Sequence, residues 1–156
     1  MMIDRRAALA AVFLTTGLRP LLAQGRPLVV VHKDPSCGCC GAWAEHIGAA
    51  GYPTRIVEDA RINAVKARLG VPQPLWSCHT AEVEGFVLEG HVPAEALARL
   101  LAERPAIRGL AVPGMPVGSP GMEVPGTDPD TYEVMAFGEA QPRMFMRFRG
   151  GVALPG

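Results

Sequence analysis

The sequence holds no apolar run of the roughly 20 residues that a membrane-spanning helix requires. The apolar stretch from Ala7 to Leu14 is too short. It also lacks a basic cluster beyond its first residues. Its 15 Lys and Arg balance 15 Asp and Glu, so the electrostatic footprint of a nucleic-acid binder is missing. No internal repeat marks a solenoid, and no composition break marks a second domain. Cysteine is scarce too, and three of the four, Cys37, Cys39 and Cys40, crowd into "SCGCCG". That crowding argues against the ordinary two-disulfide framework of an exported protein, because neighbouring cysteines make strained bridges. A Cys37–Cys78 or Cys40–Cys78 bridge leaves two close thiols unpaired, and such thiols survive best when a metal holds them.

What the chain does contain, at 156 residues and 49% hydrophobic, suits one globular domain with a real core. Residues 1–24 read as an export signal: a charged start, a short apolar stretch, and small or polar residues near Ala23. Arg5-Arg6 followed by Ala-Ala-Leu is similar to a twin-arginine signal, with an ordinary secretory signal as the alternative. The expected location is therefore the periplasm, with residues 25–156 as a single domain. Removing the signal leaves 12 basic and 14 acidic residues, a net charge near −2. Neither nucleic acid nor membrane is expected as a partner of the mature form.

Along that domain, "PLVVVH" (Pro27 to His32) suits a buried strand. Pro35 and Ser36 then suit the start of a helix, with Ser36 as its cap and Trp43, Ile47 and Ala50 on one face. Pro53 to Glu58 alternates as a half-buried strand. "DARINAVKARLG" places Ile62, Val65 and Leu69 on one helical face and stops at Gly70. "SCHTAEVEGFVLEGHVP" predicts two strands around a Glu84-Gly85 turn, and "PAEALARLLAERP" an amphipathic helix. "GLAVPGMPVGSPGMEVPGTDPD" has no periodicity and predicts a loop. "TYEVMAFG" predicts a late edge strand and "RMFMRFRG" another. The order predicts an α/β, thioredoxin-like fold: a small mixed sheet flanked by helices, with a Gly/Pro-rich C-terminal loop region. The cysteines then lie where the first strand turns into the first helix. Unpaired helix N–H groups there should lower thiol pKa values. The same layout brings Ser77-Cys78-His79 beside that turn.

Two chemistries fit the constellation. Cys37 and Cys40 have the spacing of a thiol–disulfide exchanger, with Cys37 as nucleophile, although Cys39 between them invites mispairing. Alternatively, Cys37, Cys39, Cys40 and Cys78, with His79 adjacent, make a soft metal site. Thiolates select copper(I), zinc or iron–sulfur clusters. Zinc would be satisfied by four Cys or by three Cys and His79, as in a structural zinc module, and the tight triplet suits an iron–sulfur cluster poorly. Copper(I) tolerates bridging thiolates, so crowded sulfurs can hold several ions. Met115 and Met122, in a Gly/Pro loop rather than on a core face, are candidate thioether ligands, which favour copper over zinc. Met135, Met144 and Met146 read as packing residues. His79 reads as a ligand or as a residue that orients one. His91 is placed at the far end of the hairpin with a structural role, and His32 and His46 read as ordinary residues. Trp43 is expected to pack on the sheet, and Trp76 in the core or over the sulfurs.

"DPSCGCC..W", "ARLGVP", "SCHTAEVEGFVLEGHVPAE" and "GLAVPGMPVGSPGME" together resemble a bacterial family long described as of unknown function, which includes the CopG-type copper-resistance proteins. The resemblance runs from about Val29 to Phe137. It implies a periplasmic, thioredoxin-like protein that binds copper in a multi-copper thiolate cluster able to take part in redox chemistry, and that has other periplasmic copper-handling proteins as candidate partners. Carried onto this sequence, Cys37, Cys39, Cys40 and Cys78 would be the cluster ligands. Met115, Met122 and His79 fall within the family's motifs. The "RMFMRFRGGVALPG" tail lies outside the match.

Overall fold

A computed structural model describes residues 25–138 and 141–155; the export signal expected over residues 1–24 lies outside the described residues. Strand β1 (Val29–Lys33) leads into helix α1 (Gly38–Ala49), which returns to β2 (Thr54–Glu58). Helix α2 (Ile62–Arg68) and a 3-10 turn (Gln73–Leu75) precede the hairpin β3 (His79–Val83) and β4 (Phe86–Glu89). Helix α3 (Ala94–Glu103) and strands β5 (Gly109–Ala111), β6 (Thr131–Phe137), β7 (Arg143–Arg149) and β8 (Val152–Leu154) complete the order. No helix among the described residues is long and apolar enough to cross a membrane.

The strands form one sheet in the order β2-β1-β3-β4-β5-β6-β7-β8. Only β1 with β2 and β4 with β5 run parallel; the other neighbours are antiparallel. The α/β layout with helices on the sheet matches the expected thioredoxin-like kind of fold. The sheet is larger than expected, however. Gly109–Ala111 pairs with both β4 and β6 instead of opening the loop, because three residues are too few to display a period. This makes β6 an interior strand, with β2 and β8 at the edges.

Strand alternation explains how one sheet serves two cores. On one face Val29 and Val31 of β1, Ala81 and Val83 of β3, and Phe86 and Leu88 of β4 join α1 (Trp43, Ala44, Ile47) and α3 (Ala96, Leu97, Leu100). On the other face Val87, Ala111 and Phe137 meet Val65 and Leu69 of α2. The buried apolar side chains, each contributing on the order of 1.5–3 kcal/mol, are thus divided between two layers. Trp43 is fully buried and donates its indole N–H to the Val92 carbonyl at 2.9 Å. Trp76 belongs to the second layer, donating to the Val71 carbonyl at 2.9 Å.

Two local features place the site. The hairpin turns through Glu84 (φ 50°) and Gly85 (φ 83°), the pair of positive φ values that a two-residue turn needs. Cys37 occupies the cap position before α1, and its side chain makes no capping bond. Ser36, expected as the cap, instead bonds the Asp34 carboxylate through its N–H and hydroxyl at 2.9 and 2.5 Å. The residue therefore braces the turn before the helix and leaves the helix end open beside the sulfurs.

Candidate metal centre

The sheet register dictates the convergence of the cysteines. Lys33 of β1 pairs with His79 of β3, so Cys78 lies beside the turn that carries Cys37, Cys39 and Cys40. All four sulfurs lie within 4.8 Å of one another. Cys37 and Cys40 are joined in a disulfide, whereas Cys39 and Cys78 are free thiols. The Cys37 and Cys39 sulfurs are 3.6 Å apart. The crowding argument disfavoured two disulfides, and one is present. It is the pair with dithiol spacing, in which one helical turn brings the Cα atoms to 5.6 Å, inside the range a bridge requires.

A second donor set shares Cys78. Its sulfur is 3.3 Å from His79 Nδ1 and 3.0 Å from His91 Nε2, and the three donors lie within 4.8 Å of one another. His91 Nδ1 lies 2.7 Å from the Pro120 carbonyl oxygen. A carbonyl only accepts, so Nδ1 carries the proton and Nε2 presents its lone pair to Cys78. His79 is fully buried, packs on Trp43 with ring centroids 4.3 Å apart, and meets His91 edge-on at 5.1 Å. Its Nε2 is the one buried side-chain nitrogen or oxygen without a partner among the described residues.

His91 is the residue that sequence reading misplaced. The signal was present: a hairpin centred between Glu84 and Gly85 pairs Thr80 with Glu89, and extending that register sets Cys78 opposite His91. The far end of the second strand is the near end of the site.

Electrostatics keep this site neutral. Burial, then the adjacent Cys39 thiol, push the Cys78 thiol up to about 12, because desolvation disfavours the charged thiolate. Burial also holds His79 well below the ordinary histidine range, with the His91 and Lys66 charges adding to the effect. Burial lowers His91 as well. Neutral imidazoles and closely spaced sulfurs are a soft donor set.

The Gly/Pro loop after β5 covers the site. Gly121 has φ +83°, and a Cβ there would lie 2.7 Å from the Trp43 nitrogen and 3.0 Å from the Cys39 carbonyl oxygen. Only glycine allows so close an approach to the first turn of α1. The Ser77 hydroxyl donates to the Gly114 carbonyl. Met115, 53% exposed, and Met122, half-buried, lie on this anchored loop.

The family profile described as "Protein of unknown function, DUF411" matches residues 75–122. No curated protein matches the sequence. A solved structure named as form 1 of copper resistance protein CopG is 41% identical, with a TM-score of 0.75, over 81% of this chain and all of its own length. A second, named as form 2, is 42% identical with a TM-score of 0.74, over 79% of this chain and 98% of its own. Identity at that level over nearly the whole described domain shows that the chain belongs to the CopG-type family of copper resistance proteins.

Proposed function

We propose that this protein is exported to the periplasm and handles copper there, holding copper(I) on Cys37, Cys39, Cys40 and Cys78 as a thiolate cluster. The observation that carries the reading is the approach of all four sulfurs within 4.8 Å. Copper(I) accepts low coordination and shared thiolates, so this spacing suits more than one ion per chain. His91 Nε2 and His79 add nitrogen donors from the hairpin, and Met115 and Met122 are candidate thioethers on the covering loop. Binding through all four sulfurs requires the Cys37–Cys40 pair in its reduced form. An external dithiol reductant supplies the two electrons and two protons that open the bridge, becoming a disulfide itself, and the thiol protons leave as copper(I) binds.

The test is an anaerobic copper(I) titration of reduced mature protein against a chromophoric chelator, paired with thiol counting. Thiolate-to-copper absorption and more than one copper per chain are expected, with a sharp loss in Cys78→Ser. Retention of zinc against excess copper(I) would favour a structural zinc module instead.

The Cys37–Cys40 disulfide favours one second reading, a thiol–disulfide oxidoreductase. As the bridge closes, two electrons from the dithiol reduce a substrate disulfide, whose two thiols take up the protons, or reduce two copper(II) ions to copper(I), with two protons released to solvent. Reduction of insulin by metal-free protein, indifferent to Cys39→Ser, would support it.

A further inference from the structure

On the sheet face opposite His79 lies a closed set of buried polar groups that the metal chemistry does not use. Lys66 of α2 and Glu89 of β4 are 1% and 0% exposed and form an ion pair at 2.6 Å. Thr80 of β3 accepts from Lys66 Nζ at 3.0 Å and donates to Glu89 Oε2 at 2.6 Å. Glu89 Oε1 also accepts the backbone N–H of Ser77 at 2.6 Å. Burying two charges is expensive, and well-packed apolar residues would serve stability as well or better. The chain ends of this network are therefore informative. Ser77 precedes Cys78, Thr80 follows His79, and Glu89 lies two residues before His91. Each anchor adjoins a donor of the Cys78–His79–His91 set, from the far side of the sheet.

We propose that Lys66, Thr80 and Glu89 are positioning residues: through the Ser77 N–H, the Glu89 carboxylate fixes the backbone that aims Cys78 at His91 and at the other sulfurs. Lys66 neutralises that carboxylate, and Thr80 selects which of its oxygens faces Ser77. Hydrogen bonds behind the ligands orient them in many metal sites, and their loss weakens metal binding by about 10–100-fold. The inference rests on the copper reading, but its geometry is tested independently of it.

Two double variants separate positioning from packing. Lys66→Met/Glu89→Gln removes both charges and keeps an oxygen for the Ser77 N–H. Lys66→Met/Glu89→Leu removes both charges and that oxygen. Copper(I) affinity of the reduced protein should stay within about threefold of wild type in the first and fall about 10–100-fold in the second. In metal-free protein with the Cys37–Cys40 bridge intact, iodoacetamide should modify Cys78 several-fold faster in the second variant only. Should the leucine variant fail to fold, Ser77→Pro removes the N–H, with Ser77→Ala as the control for its hydroxyl. Trp76 already has φ −61° and ψ 137°, which suits a following proline. Equal affinity and equal alkylation in both members of the pair would overturn the proposal. A wild-type protein that binds no copper(I) would defeat the copper reading, while the alkylation contrast would still decide the positioning.

Discussion

Replacing Gly121 by alanine tests whether the Gly/Pro loop is seated on the cysteine turn. The new Cβ would meet the Trp43 nitrogen at 2.7 Å, the Cys39 carbonyl oxygen at 3.0 Å and the Ala42 carbonyl carbon at 3.2 Å. All three are backbone atoms of α1 and cannot rotate away. Two costs combine. Placing a Cβ at φ +83° costs about 1–2 kcal/mol, and forcing an extra methyl into a packed contact costs about 1–3 kcal/mol. Gly126→Ala is the matched control, because Gly126 has φ +77° with nothing within 4 Å of its Cβ position, so it carries only the first cost. Urea denaturation of metal-free protein should therefore place Gly121→Ala about 1–3 kcal/mol below Gly126→Ala. Hydrogen exchange should show faster exchange over residues 113–122. Equal stability of the two variants would refute the reasoning, since it would mean that the loop does not rest on the helix.

Acid should destabilise the metal-free protein. His79 and His91 are held neutral when folded but titrate near 6.5 when unfolded. Their contribution is thus present above about pH 6.5 and is lost as pH falls below it, at up to about 1.4 kcal/mol per pH unit for each group, until the lowered native pKa values are reached. Flat stability between pH 7 and 5, followed by chemical denaturation, would contradict this. Cys78, with its thiol pushed up to about 12, should alkylate far more slowly at pH 8 than an ordinary free cysteine. Cys39→Ser removes a group that raises it, so this variant should react faster, and no change in rate would sink the argument. Trp43→Phe loses the 2.9 Å bond to Val92 and leaves a buried carbonyl unpaired, at about 1–3 kcal/mol; a thermal melt within one degree of wild type would count against that bond.

The elements with strong periodicity were legible from the sequence because burial on one face writes itself into residue order. The first strand, the α2 and α3 helices, the Glu84-Gly85 turn and both late strands fall where their patterns put them. The meeting of Cys78 with the triplet was also legible, since it follows from the neighbour relation of β1 and β3. Other features left weaker marks. Strands as short as β5 and β8 carry no period. Ser36 has the chemistry of a cap, but Asp34, two residues earlier, competes for its hydroxyl. His91 required counting register across the hairpin rather than distance along the chain. The Lys66–Glu89 pair required knowing that α2 covers the second face, where a lysine on a short helix would otherwise be assigned to solvent.

The loop over the cysteines is fastened at many points. Gly118 donates to the Met122 carbonyl at 2.8 Å, Asp130 to Val117 at 2.9 Å, and Val117 to the Asp130 carboxylate at 2.8 Å, in addition to the His91–Pro120 bond. None of these ties needs an ion. The conformational entropy of arranging this lid, on the order of 1–2 kcal/mol per residue, is therefore met during folding. Under the copper reading, a cation arriving once the Cys37–Cys40 bridge is reduced would find the covering loop already in place, so its attraction to sulfur and nitrogen would go into retention, and residence should outlast that on a floppy peptide bearing the same donors.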